Sequence, residues 1–255
     1  MTFMSAAVAT SSGRHRSAAL VPILLATVCA LTLPAPFVAQ RVDSVALALR
    51  LNREAGELAR QGRLDEAIER ARRALALTTQ IRGRRHRDVA ADLFTLASFY
   101  AAKGDYFNAE PLLDEAIEID KALFGPSHPE VAVDLIGLGK MLAAKPDVAG
   151  ARAAYEAALP ILFAAITDTT LEDYKLAEYM GHCAYGARSL GDLYFAGKQY
   201  DLAFQHFLQA EQLYEIVDRQ RAIALLTEMA EHKRALGDYK TARIFLGRAE
   251  TLSHQ

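Results

Sequence analysis

Apolar residues recur along this chain at intervals of three and four, the spacing of one face of a helix. The stretch from Ala90 to Ala132 shows it most plainly. Leu93, Leu96, Ala97 and Tyr100 mark one amphipathic segment; Ala109, Leu112, Leu113, Ala116 and Ile117 mark a second. Gly104, Asp105 and Tyr106 separate the two. Gly104 suits the left-handed conformation that ends a helix and turns the chain. The pattern predicts a helical hairpin, and a hairpin alone leaves its apolar face in water.

The hairpin repeats. Gly62 and Gly104 stand 42 residues apart, as do Ala67, Ala109 and Ala151, and Ala74, Ala116 and Ala158. Ala203 and Ala210 continue the series after a step of 52, and Ala242 and Ala249 after a further 39. Small residues at fixed places let one helix approach the next closely. Self-similarity on this scale predicts an all-α solenoid of about five hairpins, in units near 44–82, 90–124, 131–166, 184–217 and 220–252.

Local signals refine the units. Gly125 suits a helix C-cap and Pro129 the first turn of the helix after it. Pro146 and Asp147 replace the glycine turn in the third unit. Pro160 is expected to kink its helix or end it early. Thr169 to Glu172 reads as a capping box. It opens either one long helix reaching Phe195 or a short extra helix broken near Gly181. Lys233 stands where earlier units carry Leu58, Tyr100, Leu142 and Tyr194. A polar residue there fits a terminal unit with no later neighbour.

These residues resemble the tetratricopeptide repeat. The fourth unit matches best, through Leu190, Gly191, Tyr194, Ala203, Phe207 and Ala210, with one extra residue in its turn. The long period and the exit Leu123-Phe124-Gly125 to His128-Pro129-Glu130-Val131-Ala132 are similar to the kinesin-light-chain type. The likeness covers about residues 45–252. It implies a right-handed superhelix whose concave face, lined by first helices, binds a peptide or partner helix.

The resemblance places that groove on first-helix residues not needed for the core. They are Asn52, Arg53 and Arg60, then Phe94, Thr95 and Ser98, then Ile136 and Lys140, then Arg188 and Asp192, and last Glu228 and Glu231. Gly56, Ala102, Gly137, Ser189 and Thr227 accompany them. The expected floor is basic at its N-terminal end, apolar in the middle and acidic at its C-terminal end. Such a gradient would orient a segment of opposite polarity. Asn52 and Lys140 do not form the lysine–asparagine clamp with which some of these proteins hold a terminal carboxylate.

Residues 1–39 read as a signal peptide or a membrane anchor, with 40–255 as the repeat domain. Arg14, His15 and Arg16 precede an apolar run from Ala18 to Leu33, short for a membrane span. Cutting after Ala39 removes two of the 29 basic residues and none of the 31 acidic ones. The expected location is the periplasm or cell envelope. The cut also leaves Cys183 as the one remaining cysteine, expected to be a packing residue.

A net charge of −2 gives no general attraction to nucleic acid. The chain shows no phosphate-binding loop, no G-x-S-x-G turn, no H-E-x-x-H and no C-x-x-C. No catalytic residue, cofactor or metal is therefore expected. His182 and Cys183 are adjacent, so on a helix they diverge. His86 and His128 occupy equivalent exit loops and read as structural. Glu228 and His232 read as a solvated pair, and the basic loop Arg82 to Arg87 as a solvated linker. The function expected is a non-catalytic scaffold for a protein or peptide partner. The alternative is an assembly subunit that self-associates through its last helix, at Phe245 and Leu252. Membrane contact is expected only through an uncleaved N-terminal segment.

Overall fold

The computed structural model describes residues 35–168 and 170–254. They form ten α-helices, with no strand among the described residues. The helices are α1 (Ala35–Arg60), α2 (Leu64–Arg82), α3 (Arg87–Ala102), α4 (Tyr106–Phe124) and α5 (Pro129–Ala144), then α6 (Val148–Ala165), α7 (Asp173–Ala196), α8 (Tyr200–Val217), α9 (Arg219–Ala235) and α10 (Tyr239–His254). Residues Val45–Gln255 form one compact unit. The expected signal or anchor segment lies almost wholly outside the described residues. α1 runs through Ala39 without a break.

Each hairpin turn is closed by the same backbone bond. Arg63, Asp105, Asp147, Gln199 and Asp238 donate N–H to the carbonyls of Leu58, Tyr100, Leu142, Tyr194 and Lys233, at 2.8 to 2.9 Å. This six-residue closure is the Schellman pattern, and it needs a left-handed residue just before the donor. Gly104 supplies it in the second hairpin, with φ 81°. In the fourth the extra residue shifts the turn. Gly197 is right-handed, and Lys198 takes φ 59° instead.

Caps then start the helices. Asp105, Asp147 and Asp238 accept from the N–H three residues on. His86 and His128 cap first helices one residue nearer, their Nδ1 accepting from the Asp88 and Glu130 N–H two residues on, at 3.1 and 3.2 Å. Their matched positions thus cap the helix that follows each loop.

The recurring alanines are the places of closest approach. Ala67, Ala109, Ala151 and Ala203 are 0% exposed and Ala242 is 1% exposed. Successive helices from α2 onward pack on one another, and α3, α5 and α7 also lie side by side. α6 is long and apolar enough to cross a membrane, but Ala151, Tyr155, Ala158 and Leu162 bury its stripe in this stack.

Some expectations fail. α6 does not end early at Pro160 but continues five residues beyond it, with Leu159 and Leu162 buried on either side of the proline. α7 starts at Asp173 with Glu172 as N-cap and no side-chain cap bond, so the capping box does not form. Thr169 itself lies outside the described residues. α7 then runs unbroken through Gly181 and is longer than α3, α5 and α9. Phe245 and Leu252 are not a free face. Both are buried, and Phe245 stacks on Phe204 with ring centroids 6.3 Å apart. The exposed apolar residues of α10 are Tyr239 and Ile244. His232 is not merely solvated beside Glu228, because its ring stacks 3.9 Å from Phe195. Lys233 covers Phe204, with Nζ 4.1 Å from the ring centroid.

Candidate functional cleft

A cavity of about 590 Å³ opens along α3, α5 and α7. Its apolar wall comes from Phe94 and Ala101 on α3, Leu113 on α4, and Ile136 and Met141 on α5. Glycine makes the room. Gly181 on α7 has open space where a side chain would be, and Gly137 on α5 lets the Phe94 ring lie against its backbone. Gly186 plays the matching part deeper down, where a Cβ would collide with Ile136 Cδ1. α5 and α7 are therefore held close below the cleft and leave it open above.

Polar groups stand at the mouth. Lys140 is exposed, with Nζ 5.8 Å from the Tyr185 ring centroid and no carboxylate partner among the described residues. Ser98 returns its hydroxyl to the Phe94 carbonyl at 2.9 Å. Glu178 is held by Lys175 at 3.0 Å, and Arg221 by Asp218 at 3.0 Å. Burial pulls the His182 imidazole below its ordinary pKa, so it is a neutral lining group near neutrality. An anion would find Lys140 as the free charge among these.

The sequence-derived groove is only partly one site. Phe94, Ser98, Ile136 and Lys140 converge here. Ile136 lines the cleft while only 3% exposed, so packing and lining are one role. Thr95 instead bonds the Ala91 carbonyl at 2.9 Å. Asn52 is engaged in the core, donating to Asp92 Oδ1 at 2.6 Å. Arg53 and Arg60 are exposed on α1, Arg60 paired with Glu57. At the other end Arg188 meets Glu228 at 2.8 Å, so the expected acidic end is partly neutralised. Asp192 lies beside that pair. Loss of solvation, then the Glu228 charge, push its carboxyl up to about 6. Glu231 is exposed on α9.

Sequence reasoning missed Ala177, Glu178, His182, Tyr185 and Arg221. Ala177 and Glu178 sit on the N-terminal extension of α7, which starts eight residues before the counterpart of Pro129 at the 52-residue step, while His182 and Tyr185 match Glu130 and Val133 of α5. The spacing could not carry Ala177 and Glu178. His182 and Cys183 do diverge: the histidine lines the cleft, while Cys183 is fully buried and its thiol is pushed up to about 12 by burial. In the basic loop, Arg84 pairs with Glu115 at 2.6 Å and Arg82 with Asp88 at 3.4 Å. Among the described residues no group of three or more His, Cys, Asp or Glu could hold a metal ion.

Tetratricopeptide-repeat family models match residues 47–88 and 91–162. No curated protein matches the chain. Among solved structures, it is similar to kinesin-light-chain TPR-like repeats, nearly identical to one another, from Podosopora anserina. That likeness has a TM-score of 0.62 and 19% identity, and covers 82% of this chain and 96% of that one. It is also similar to BtubC (BKLC) from P. vanneervenii, with a TM-score of 0.63 and 18% identity, over 85% of this chain and 89% of that one.

Proposed function

We propose that this tetratricopeptide-repeat protein, with repeats of the kinesin-light-chain-like type, holds a segment of a partner protein in the cleft between α3, α5 and α7. Repeats of this kind make it a scaffold for protein–protein interaction. The observation that carries the finer reading is the apolar cavity walled by Phe94, Ile136 and Met141, with Lys140 uncommitted at its mouth. One buried Leu or Phe side chain contributes about 1.5–3 kcal/mol. Association costs roughly 4–15 kcal/mol. One anchor in the cleft is therefore too little, and the segment must extend along neighbouring first helices. The chain acts without catalysis of its own in this reading.

Pull-downs from an envelope extract test it. Phe94→Glu and Lys140→Glu should each lose the same partner that the wild type retains. Unchanged capture by both variants contradicts the reading. A second reading, self-association, is favoured by Tyr239 and Ile244, 68% and 55% exposed on the last helix. Under it, Ile244→Glu abolishes an oligomer seen by sedimentation and the cleft variants do not. The basic residues and apolar run before Leu33 support export to the periplasm or envelope, which cell fractionation checks.

A further inference from the structure

The cleft also has the chemistry of a small-ligand site. Its volume, about 590 Å³, lies within the range of pockets that enclose a small molecule, roughly 300–1,000 Å³. A partner helix, about 10–12 Å across, would fill it within roughly one turn. Small side chains line much of it, among them Ala101, Ala102, Ala144 and Ala177, with open space at Gly181. Few groups inside could pair with a peptide backbone. Among the described residues no Asn, Gln or Thr lines the cleft, and the Ser98 hydroxyl is already given to the Phe94 carbonyl. Leu113, Ile136 and Met141 are buried and present only hydrocarbon and a thioether. A main chain laid against them would leave N–H and C=O groups unpaired, a cost that a hydrocarbon chain does not incur.

The charges at the mouth fit one kind of head group. Lys175 holds Glu178 and Asp218 holds Arg221, each at 3.0 Å. Lys140 has no such partner among the described residues, and its ammonium lies 5.8 Å from the Tyr185 ring centroid beside the apolar space. A carboxylate placed there gains a charge-assisted hydrogen bond while its tail stays inside.

We infer that the cleft binds a free fatty acid, its alkyl chain against Phe94, Ile136 and Met141 and its carboxylate on Lys140. From Ile136 to Ala144 the α5 lining rises about 12 Å, which gives an extended chain of several methylenes room to lie along it. The chain asks for no hydrogen bond inside, and one negative head matches the one uncommitted cation. This goes beyond capture of a protein segment. Both occupants use the same space, so the acid competes with a partner's anchor side chain. Acid binding itself requires the cleft alone and no protein partner.

Isothermal titration of the full chain near neutral pH with octanoate and decanoate, each below its micelle concentration, tests this. One molecule should bind per chain. Each added methylene should tighten binding about fourfold, so decanoate should exceed octanoate by roughly tenfold or more. Decyltrimethylammonium, with the same tail length and the opposite charge, should bind at least tenfold more weakly than decanoate. Gly181→Leu, which grows a side chain into open space and leaves the fold intact, should weaken decanoate at least tenfold, and so should Lys140→Glu. No saturable binding of decanoate, equal affinity for the two acids or for the cationic tail, or unchanged binding in a folded Gly181→Leu overturns the proposal. The titration contains no protein partner, so its failure leaves partner capture standing, and failure of the pull-downs leaves acid binding standing.

Discussion

The Phe94 ring lies against the backbone of Gly137: a Cβ at residue 137 would fall 2.9 Å from Phe94 Cζ and closer still to Cε2. The obstructing atoms are the far end of a half-buried side chain at the cleft wall. Gly137→Ala should therefore be tolerated, with a gain of about 0.5–1 kcal/mol in helix preference offsetting the contact. The displaced ring should narrow the cleft. Binding of an anilinonaphthalenesulfonate dye is expected to weaken severalfold with a melting temperature close to that of the wild type.

A glycine-to-alanine change at Gly191, the counterpart of Gly139, should behave otherwise. A Cβ at Gly191 would lie 2.6 Å from the Phe207 ring and 3.2 Å from the Ala203 carbonyl oxygen. Phe207 is 0% exposed and has nowhere to go. Gly191→Ala is expected to destabilise the fold by about 1–3 kcal/mol, the usual cost of overpacking. Chemical denaturation measures it.

Lys198 occupies the left-handed position of the fourth turn, at φ 59°. A side chain in that region is strained where glycine is not. Lys198→Gly should stabilise the protein by about 0.5–1 kcal/mol. The check is a rise in the denaturation midpoint with an unchanged slope against denaturant.

Glu211 on α8 is fully buried, and Arg248 on α10 is 2.7 Å from its Oε1. Burial already raises the Glu211 pKa and Arg248 opposes the rise. Arg248→Ala should remove about 1–3 kcal/mol at pH 8, discounted because the arginine is half exposed. Glu211 would then keep its proton to higher pH, so its folded form loses more stability as pH rises. The difference from wild type should shrink toward pH 5, as thermal melts at the two pH values would show.

Much of this was legible in the chain. The alanines at 67, 109 and 151 fixed where helices touch, and Gly62, Gly104 and Gly237 where they turn, because both needs depend on residue size and backbone freedom. Half of the cleft was legible too, since Phe94, Ser98, Ile136 and Lys140 sit at matched first-helix places. The other wall was not. It comes from α7, whose step from the third unit is 52 residues instead of 42 and whose first eight residues, carrying Ala177 and Glu178, have no counterpart in α5; its start depends on backbone geometry near Glu172 rather than on a side-chain cap. Nor did spacing show that Asn52 and Arg188 were already spoken for by Asp92 and Glu228, since pairing between units depends on helix rotation.

Site-specific photo-crosslinking in the cells that make the protein tests the cleft most directly. A photoreactive side chain would replace Ala102, which lines the cavity, or Phe107, which is 89% exposed on α4 outside it. A discrete adduct with another protein is expected from position 102, lost when Lys140→Glu is added, and none from position 107. Equal labelling from both positions, or adducts only between copies of this chain, would contradict it.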